Sequence, residues 1–149
     1  MIDALKNLFS SKPAEPETPE ITTEVAAAAL MVEAALADGV VSDVEHQKIA
    51  RILREGFKMD DAKAEATLET AQSLVESAVD HHKFTRVVKT MSHGQRKTVM
   101  THLWMVALID GHKDDQEDAL LRRLAPLLAL SDRDRAEARQ HAANLVNPD

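Results

Sequence analysis

The sequence predicts an all-α domain of about seven helices in two related halves, and three observations predict this class. From residue 21 onward apolar residues recur at steps of three and four, and no strand-like alternation extends beyond a few residues. Hydrophobic residues make up 44% of the chain but aromatic ones only 3%, so the core must be aliphatic and rich in helix formers. A nine-residue pattern also occurs twice.

The first 20 residues are predicted to lie outside the domain. Residues 1–10, MIDALKNLFS, have the spacing of a short helix with its apolar side chains on one side. Residues 11–20, SKPAEPETPE, contain three prolines and several glutamates, and such a segment buries too little apolar surface to fold. We expect a tether here and assign the helical domain to residues 21–147. A weak contact of residues 1–10 with a membrane surface is a further expectation.

The ends of the helices are predicted from capping residues. Ser42 with Glu45 and Ser92 with Gln95 have the spacing of a capping box, and Asp60 or Asp61 begins another helix. The predicted helices span residues 22–38 and 43–57, begin again at 60 or 61, include a short one around 84–91, and continue from the 92–95 box to about 110, then over 115–129 and from 131 or 132 to 146. Short connections between so many helices predict a bundle-like domain.

The repeated pattern is ADGVVSDVE at residues 37–45 and IDGHKDDQE at residues 109–117. Each copy has an aspartate, a glycine, and a glutamate seven positions after the aspartate. At a constant offset of 72 residues the alignment continues, pairing Ile49 with Leu121 and Ala64 with Ala136. A repeat of this length predicts two helical halves packed face to face, with the two Asp-Gly loops close together across a pseudo-twofold axis.

The aspartates of these loops need an explanation that the glycines do not. Gly39 and Gly111 suit the residue after a helix end, whereas Asp38 and Asp110 face the negative end of the helix dipole, at a cost of roughly 0.3 to 1 kcal/mol. One compensation is a clamp, in which each carboxylate accepts hydrogen bonds from backbone N–H groups of the loop and the next helix.

A divalent cation is the other compensation. Hard cations are bound by several oxygen ligands. The acidic residues available for this are Asp38, Asp43 and Glu45 in the first copy and Asp110, Asp114, Asp115 and Glu117 in the second. Their spacing is not that of an EF-hand loop, so an ion would be held less completely or shared between the halves.

The charge distribution excludes general nucleic-acid binding, because the net charge is −7 and phosphates require a basic surface. No acidic residue occurs from 81 to 109. The basic and titratable residues of that stretch are Lys83, Arg86, Lys89, Arg96, Lys97, His81, His82, His93 and His102. Either this basic stretch packs among acidic helices and is partly neutralised by them, or it binds an anionic partner.

Other chemistry is not indicated. The chain has no cysteine, which excludes disulfides and thiolate metal sites, and it contains no nucleophile elbow, phosphate-binding glycine loop or zinc-protease helix. We therefore expect a non-enzymatic, cytoplasmic protein. Trp104 is expected in the core, and His46 and His112 on the surface.

Two segments resemble the signature of the tellurite-resistance TerB family: LMVEAALADGVVSDVEHQKIARILREGFKMD and LWMVALIDGHKDDQEDALLRRLAPLLALSD. In each, an apolar helix ends near Asp-Gly, and a glutamate and an amphipathic helix follow. The resemblance covers about residues 22–145 and implies an all-helical domain of two related halves. It also implies that Asp38, Glu45, Asp110 and Glu117 bind a divalent cation, and it associates the chain with stress resistance and with protein contacts at the membrane.

The leading hypothesis from the sequence is a stress-response module that binds calcium or magnesium through its paired acidic loops and docks a protein partner. The alternative is a purely structural interaction domain, in which the carboxylates only brace helix ends and the basic stretch binds an acidic partner.

Overall fold

The computed structural model describes residues 21–36, 42–77, 82–109 and 115–146, and these ranges contain seven helices and no strand. The helices are α1 (Thr23–Ala35), α2 (Asp43–Gly56), α3 (Asp61–Ser77), α4 (His82–Val88), α5 (His93–Ile109), α6 (Asp115–Leu127) and α7 (Asp132–Val146). The all-α class predicted from the sequence is confirmed. The predicted helix and tether of residues 1–20 lie outside these ranges.

The predicted caps explain where the helices begin. The Thr22 hydroxyl accepts from the Val25 N–H at 3.1 Å, and an Asp60 oxygen accepts from the Lys63 N–H at 2.7 Å. Ser92 and Gln95 form both hydrogen bonds of a capping box. The cap of α7 is Ser131, whose hydroxyl accepts from the Asp134 N–H at 3.0 Å. Side-chain oxygens thus bind backbone donors that a helix leaves without partners.

Two helices end where the backbone turns left-handed. Lys58, after α2, and Ala129, after α6, both have φ of 57°. At the end of α6 the Leu130 N–H donates to the Ala125 carbonyl at 2.9 Å and the Ala129 N–H to the Pro126 carbonyl at 3.0 Å, which is the Schellman pattern. The predicted end of α6 at 129 is therefore two residues too late.

Helix α1 is the centre of the core and packs against α2, α3, α4, α5 and α6. Nine of its residues are buried, most of them alanines. A helix surrounded in this way is apolar on all sides and has no amphipathic pattern. Its small side chains let five neighbours approach, and larger groups such as Phe84, Leu103 and Leu121 fill the space between them.

Corresponding helices of the two predicted halves have corresponding main partners, although the offset between them is not constant. The most extensive contacts of α3 are with α1, and those of α7 are with α5. Because α6 has 13 residues and α2 has 14, the offset falls from 72 to 71 after these helices. Ala129 follows Lys58 by 71 positions and shares its φ. The predicted pairing of Ala64 with Ala136 joins a buried residue to an exposed one, and it stays a prediction. The pseudo-twofold axis itself stays a prediction.

No helix in the described ranges is both long enough and apolar enough to cross a lipid bilayer.

Candidate functional site

The acidic residues proposed for the repeated loops are only partly within the described structure. Asp38 and Asp110 lie outside the described residues, as do Gly39, Gly111, His112 and Asp114. Glu117 belongs to α6, but its side chain is also outside the description. Glu45 is therefore the one member of the predicted ligand set whose contacts the structure gives.

Glu45 closes a capping box at the start of α2. Its N–H donates to the Ser42 hydroxyl at 3.1 Å, and its Oε1 accepts from the Ser42 N–H at 3.1 Å. The Ser42 hydroxyl also lies 3.2 Å from the same Oε1. The prediction that this glutamate is a cap is confirmed. A cation at this position would thus be bound through Oε2 or would share Oε1 with the cap.

Within residues 21–36, 42–77, 82–109 and 115–146, no group of three or more His, Asp or Glu side chains is arranged to hold a metal ion. A complete cation site therefore requires residues of the two loops, which those ranges exclude.

A groove of about 770 Å³ joins the helix ends next to the two loops, and we call it the α1–α6 groove. Leu36, two positions before Asp38, lines it from the end of α1, and Ala119, two positions after Glu117, lines it from α6. The remaining lining residues come from α1, α3, α4 and α6: Glu33, Val75, His82, Thr85, Leu120, Arg123, Leu124 and Leu127. The flanks of the two acidic loops therefore meet at one mostly apolar groove.

Two residues of the basic stretch pair with carboxylates of α7, a helix that contains three acidic residues and three arginines. His93 Nε2 lies 3.0 Å from Asp134 Oδ2, and Lys97 binds Glu137. The hydrogen bond from His93, together with the Ser131 N–H, lowers the pKa of Asp134 to about 2. The pKa of Glu137 is also lowered, first by its hydrogen bond from Lys97. These two pairs neutralise part of the basic stretch, but α7 has as many arginines as carboxylates, so the packing of the stretch among acidic helices stays a prediction.

Arg96, also in the basic stretch, binds the end of α6. Its Nη1 donates to the carbonyls of Leu128 at 2.9 Å and Ala129 at 2.8 Å, and its Nε donates to the Met91 carbonyl at 3.1 Å. A guanidinium has several donors in a fixed plane, so one side chain satisfies carbonyls from two turns. This role could not be predicted from the sequence, because Leu128 and Ala129 lie more than 30 positions from Arg96.

Three aromatic side chains bear on the sequence predictions. Trp104 is buried, as predicted, and Arg139 stacks 5.1 Å from the centre of its ring. His46, predicted on the surface, is half-buried: it faces α3 from α2, and its Nε2 is 3.0 Å from Glu65 Oε1. His102, counted with the basic residues, is buried on α5. Burial, followed by the charge of His141, lowers its pKa to about 4, so it stays neutral near pH 7.

The comparisons with known proteins give one match. The family model described as "Tellurite resistance protein TerB" matches residues 24–140, which is most of the chain. No curated protein and no solved structure matches it.

Proposed function

We propose the function from one premise, which is that this chain belongs to the TerB family of tellurite resistance proteins. On that premise it is a non-enzymatic stress-response module. It binds a divalent cation, calcium or magnesium, through Asp38, Glu45, Asp110 and Glu117, and it docks a protein partner.

The observation that supports the shared cation site is the position of the residues beside the loops. Leu36 and Ala119 line the same groove, although 83 positions separate them in the sequence. The residues that follow Leu36 and those that precede Ala119 are the two acidic loops. Two loops that each supply too few oxygens for a hard cation can complete a coordination shell when they approach each other.

The structural alternative is supported by the contacts of Glu45. Its Oε1 accepts the N–H of Ser42, so at least one of the four proposed ligands already braces a helix end. If Asp38 and Asp110 act in the same way, the loops are clamps that fix the angles between helices, and no ion is needed.

Thermal unfolding of the full chain tests the two alternatives. After treatment with a chelator, the protein is melted with and without millimolar calcium or magnesium, alongside Asp38→Asn and Asp110→Asn. A bound cation raises the melting temperature of the parent chain by several degrees, and both variants lose that rise. Asp132→Asn is the matched control, because its side chain is 99% exposed in the first turn of α7, and it should keep the rise.

The clamp predicts a different result from the same experiment. Neither ion changes any melting curve, and both loop variants are less stable than the parent without ions by about 1 kcal/mol, the typical value of a lost hydrogen bond. That outcome would reject the cation site and leave a structural interaction domain.

A further inference from the structure

We propose that the α1–α6 groove is the docking site of residues 1–10 of the same chain, bound as an amphipathic helix. The groove lies on the described domain, and the segment whose sequence matches it precedes the domain by the ten residues 11–20. This inference does not require the cation, and it assigns a role to the one apolar segment that the helical domain does not include.

The groove offers a hydrophobic surface to a partner. Its aliphatic lining residues are Leu36, Val75, Ala119, Leu120, Leu124 and Leu127. Leu127 is 38% exposed and is one of only three large hydrophobic side chains exposed in the described ranges. Apolar surface left in water is unfavourable in proportion to its area, and a groove of this kind between helices is a typical receptor for the apolar face of another helix.

The segment has the matching face. Its apolar residues are Met1, Ile2, Leu5, Leu8 and Phe9, which follow the i, i+3, i+4, i+7 spacing of helix-in-groove ligands. A helix of ten residues is marginal in water without a surface to pack against. Residues 37–41, 78–81, 110–114 and 147–149 also lie outside the described ranges, but each of these stretches has at most five residues and at most three aliphatic ones. Residues 1–10 are therefore the best apolar ligand among the segments outside the described ranges.

The tether is long enough for this contact. Ile21 packs against the core at the start of α1, and the groove begins at Leu36, beyond the other end of α1. Thirteen helical residues span about 20 Å, whereas the ten residues of the tether reach about 33 Å when extended. A segment on so short a tether has a high effective concentration at the groove, so even weak packing keeps it bound.

The charges of the two surfaces are compatible. The groove contains Glu33 and Arg123 among its lining residues, and the segment carries one acid and one base, Asp3 and Lys6. Arg123 of the groove and Asp3 of the segment allow one pair of opposite charges to form in the docked state. Apolar contacts alone would hold the helix in the groove, whereas a charge pair also determines in which direction the helix runs.

Disulfide trapping in the full chain tests the contact directly, because the chain has no cysteine of its own. Two variants carry Leu8→Cys together with either Leu120→Cys or Leu127→Cys in the groove. The control carries Leu8→Cys with Gln140→Cys, an exposed position on α7 that does not line the groove. After mild oxidation, non-reducing gels and mass spectrometry separate bonds within one chain from bonds between chains.

Docking predicts that at least one groove pair closes within a single chain about ten-fold faster than the control, as a high local concentration requires. Equal rates for all three pairs would overturn the proposal. Bonds that form mainly between two chains would also overturn it and would instead indicate that a second copy occupies the groove.

A measurement without cysteine keeps the test independent of disulfide geometry. In Leu5→Asp/Leu8→Asp the apolar face is lost, and amide hydrogen exchange of residues 119–127 should become faster; Lys12→Asp, in the tether, is the control and should leave it unchanged. Unchanged exchange in the double variant would contradict docking. Neither experiment uses calcium or magnesium, so its outcome is separate from that of the cation site.

Discussion

Gly56, the last residue of α2, lies directly against the imidazole ring of His102 on α5. A Cβ atom built on Gly56 would be 2.6 Å from His102 Nε2 and 2.7 Å from Cε1, which is closer than non-bonded atoms approach. The ring of the next residue, Phe57, has its centroid 5.3 Å from that of the imidazole. The approach of α2 to α5 therefore depends on the absence of a side chain at position 56.

Gly56→Ala should destabilise the protein by roughly 1 to 3 kcal/mol, the range for overpacked cores. Helix propensity alone predicts the opposite sign, because alanine is favoured over glycine within a helix. Urea denaturation measures the difference. Gly94→Ala is the matched control, since nothing lies within 4 Å of its added Cβ, and it should be neutral or slightly stabilising. If both variants gained stability equally, the close approach to His102 would not limit the packing.

The free energy of unfolding should fall as the pH decreases from about 6.5 toward 4, because His102 is buried. Its pKa is lowered from 6.5 to about 4 by burial and by the charge of His141. The unfolded chain therefore binds a proton at a pH where the folded chain does not, so acid favours unfolding. Above pH 6.5 His102 does not lower the free energy of unfolding. Below pH 4 the decrease that it causes approaches about 3 kcal/mol, at 1.36 kcal/mol for each pKa unit.

His102→Leu tests this assignment. The variant has no titrating group at position 102, so its stability, measured by urea denaturation at several pH values, should decline less between pH 6.5 and 4.5 than that of the parent. Carboxylates with lowered pKa values, such as Asp134, lose their contribution in both proteins and therefore cancel in the comparison. Parallel pH profiles for the two proteins would show that His102 is not the group responsible.

The elements of the fold followed from local signals in the sequence. Ser42, Asp60 and Ser92 were identified as caps because a capping bond joins residues three positions apart, and a window of four residues contains all the information needed. The lengths of the helices were less certain. The end of α6 depends on the left-handed backbone of Ala129, a conformation that alanine seldom adopts and that the sequence therefore does not reveal.

The contacts between helices could not be predicted from such short windows of sequence. His102 is counted with the titratable residues of the basic stretch, although it lies in the apolar run of α5 and is 6% exposed. That apolar run was the one local sign of its burial. The groove between α1 and α6 is formed by residues far apart in the sequence, and packing alone brings them together. In the acidic loops, Asp38 and Asp110 were predicted as cation ligands or clamps. Both positions lie outside the described ranges, so their role stays a prediction.

Arg96→Lys should destabilise the protein by about 1 to 3 kcal/mol, because three hydrogen bonds from a charged donor are lost, two of them partly buried. The lysine keeps the charge but has a single nitrogen, which cannot reproduce the planar set of bonds to Met91, Leu128 and Ala129. Arg133→Lys is the control: its side chain is 86% exposed and forms an i,i+4 pair with Glu137, so it should change stability by less than about 0.5 kcal/mol. Equal effects of the two substitutions in thermal or urea unfolding would show that the hydrogen bonds of Arg96 to these carbonyls do not stabilise the protein.

Ala129→Gly and Lys58→Gly should each stabilise the protein by about 1 kcal/mol. Both residues have φ of 57°, where an L side chain is strained by roughly 1 to 2 kcal/mol and glycine is not; the greater freedom of glycine in the unfolded chain offsets part of this gain. The two positions follow different helices, α2 and α6, so their effects should add within about 0.5 kcal/mol. Ala136→Gly provides the opposite control, because this exposed residue lies inside α7, where glycine costs up to about 1 kcal/mol. Urea denaturation of the three single variants and the 58/129 double variant measures all four values, and destabilisation by both turn substitutions would mean that these side chains contribute packing that outweighs the backbone strain.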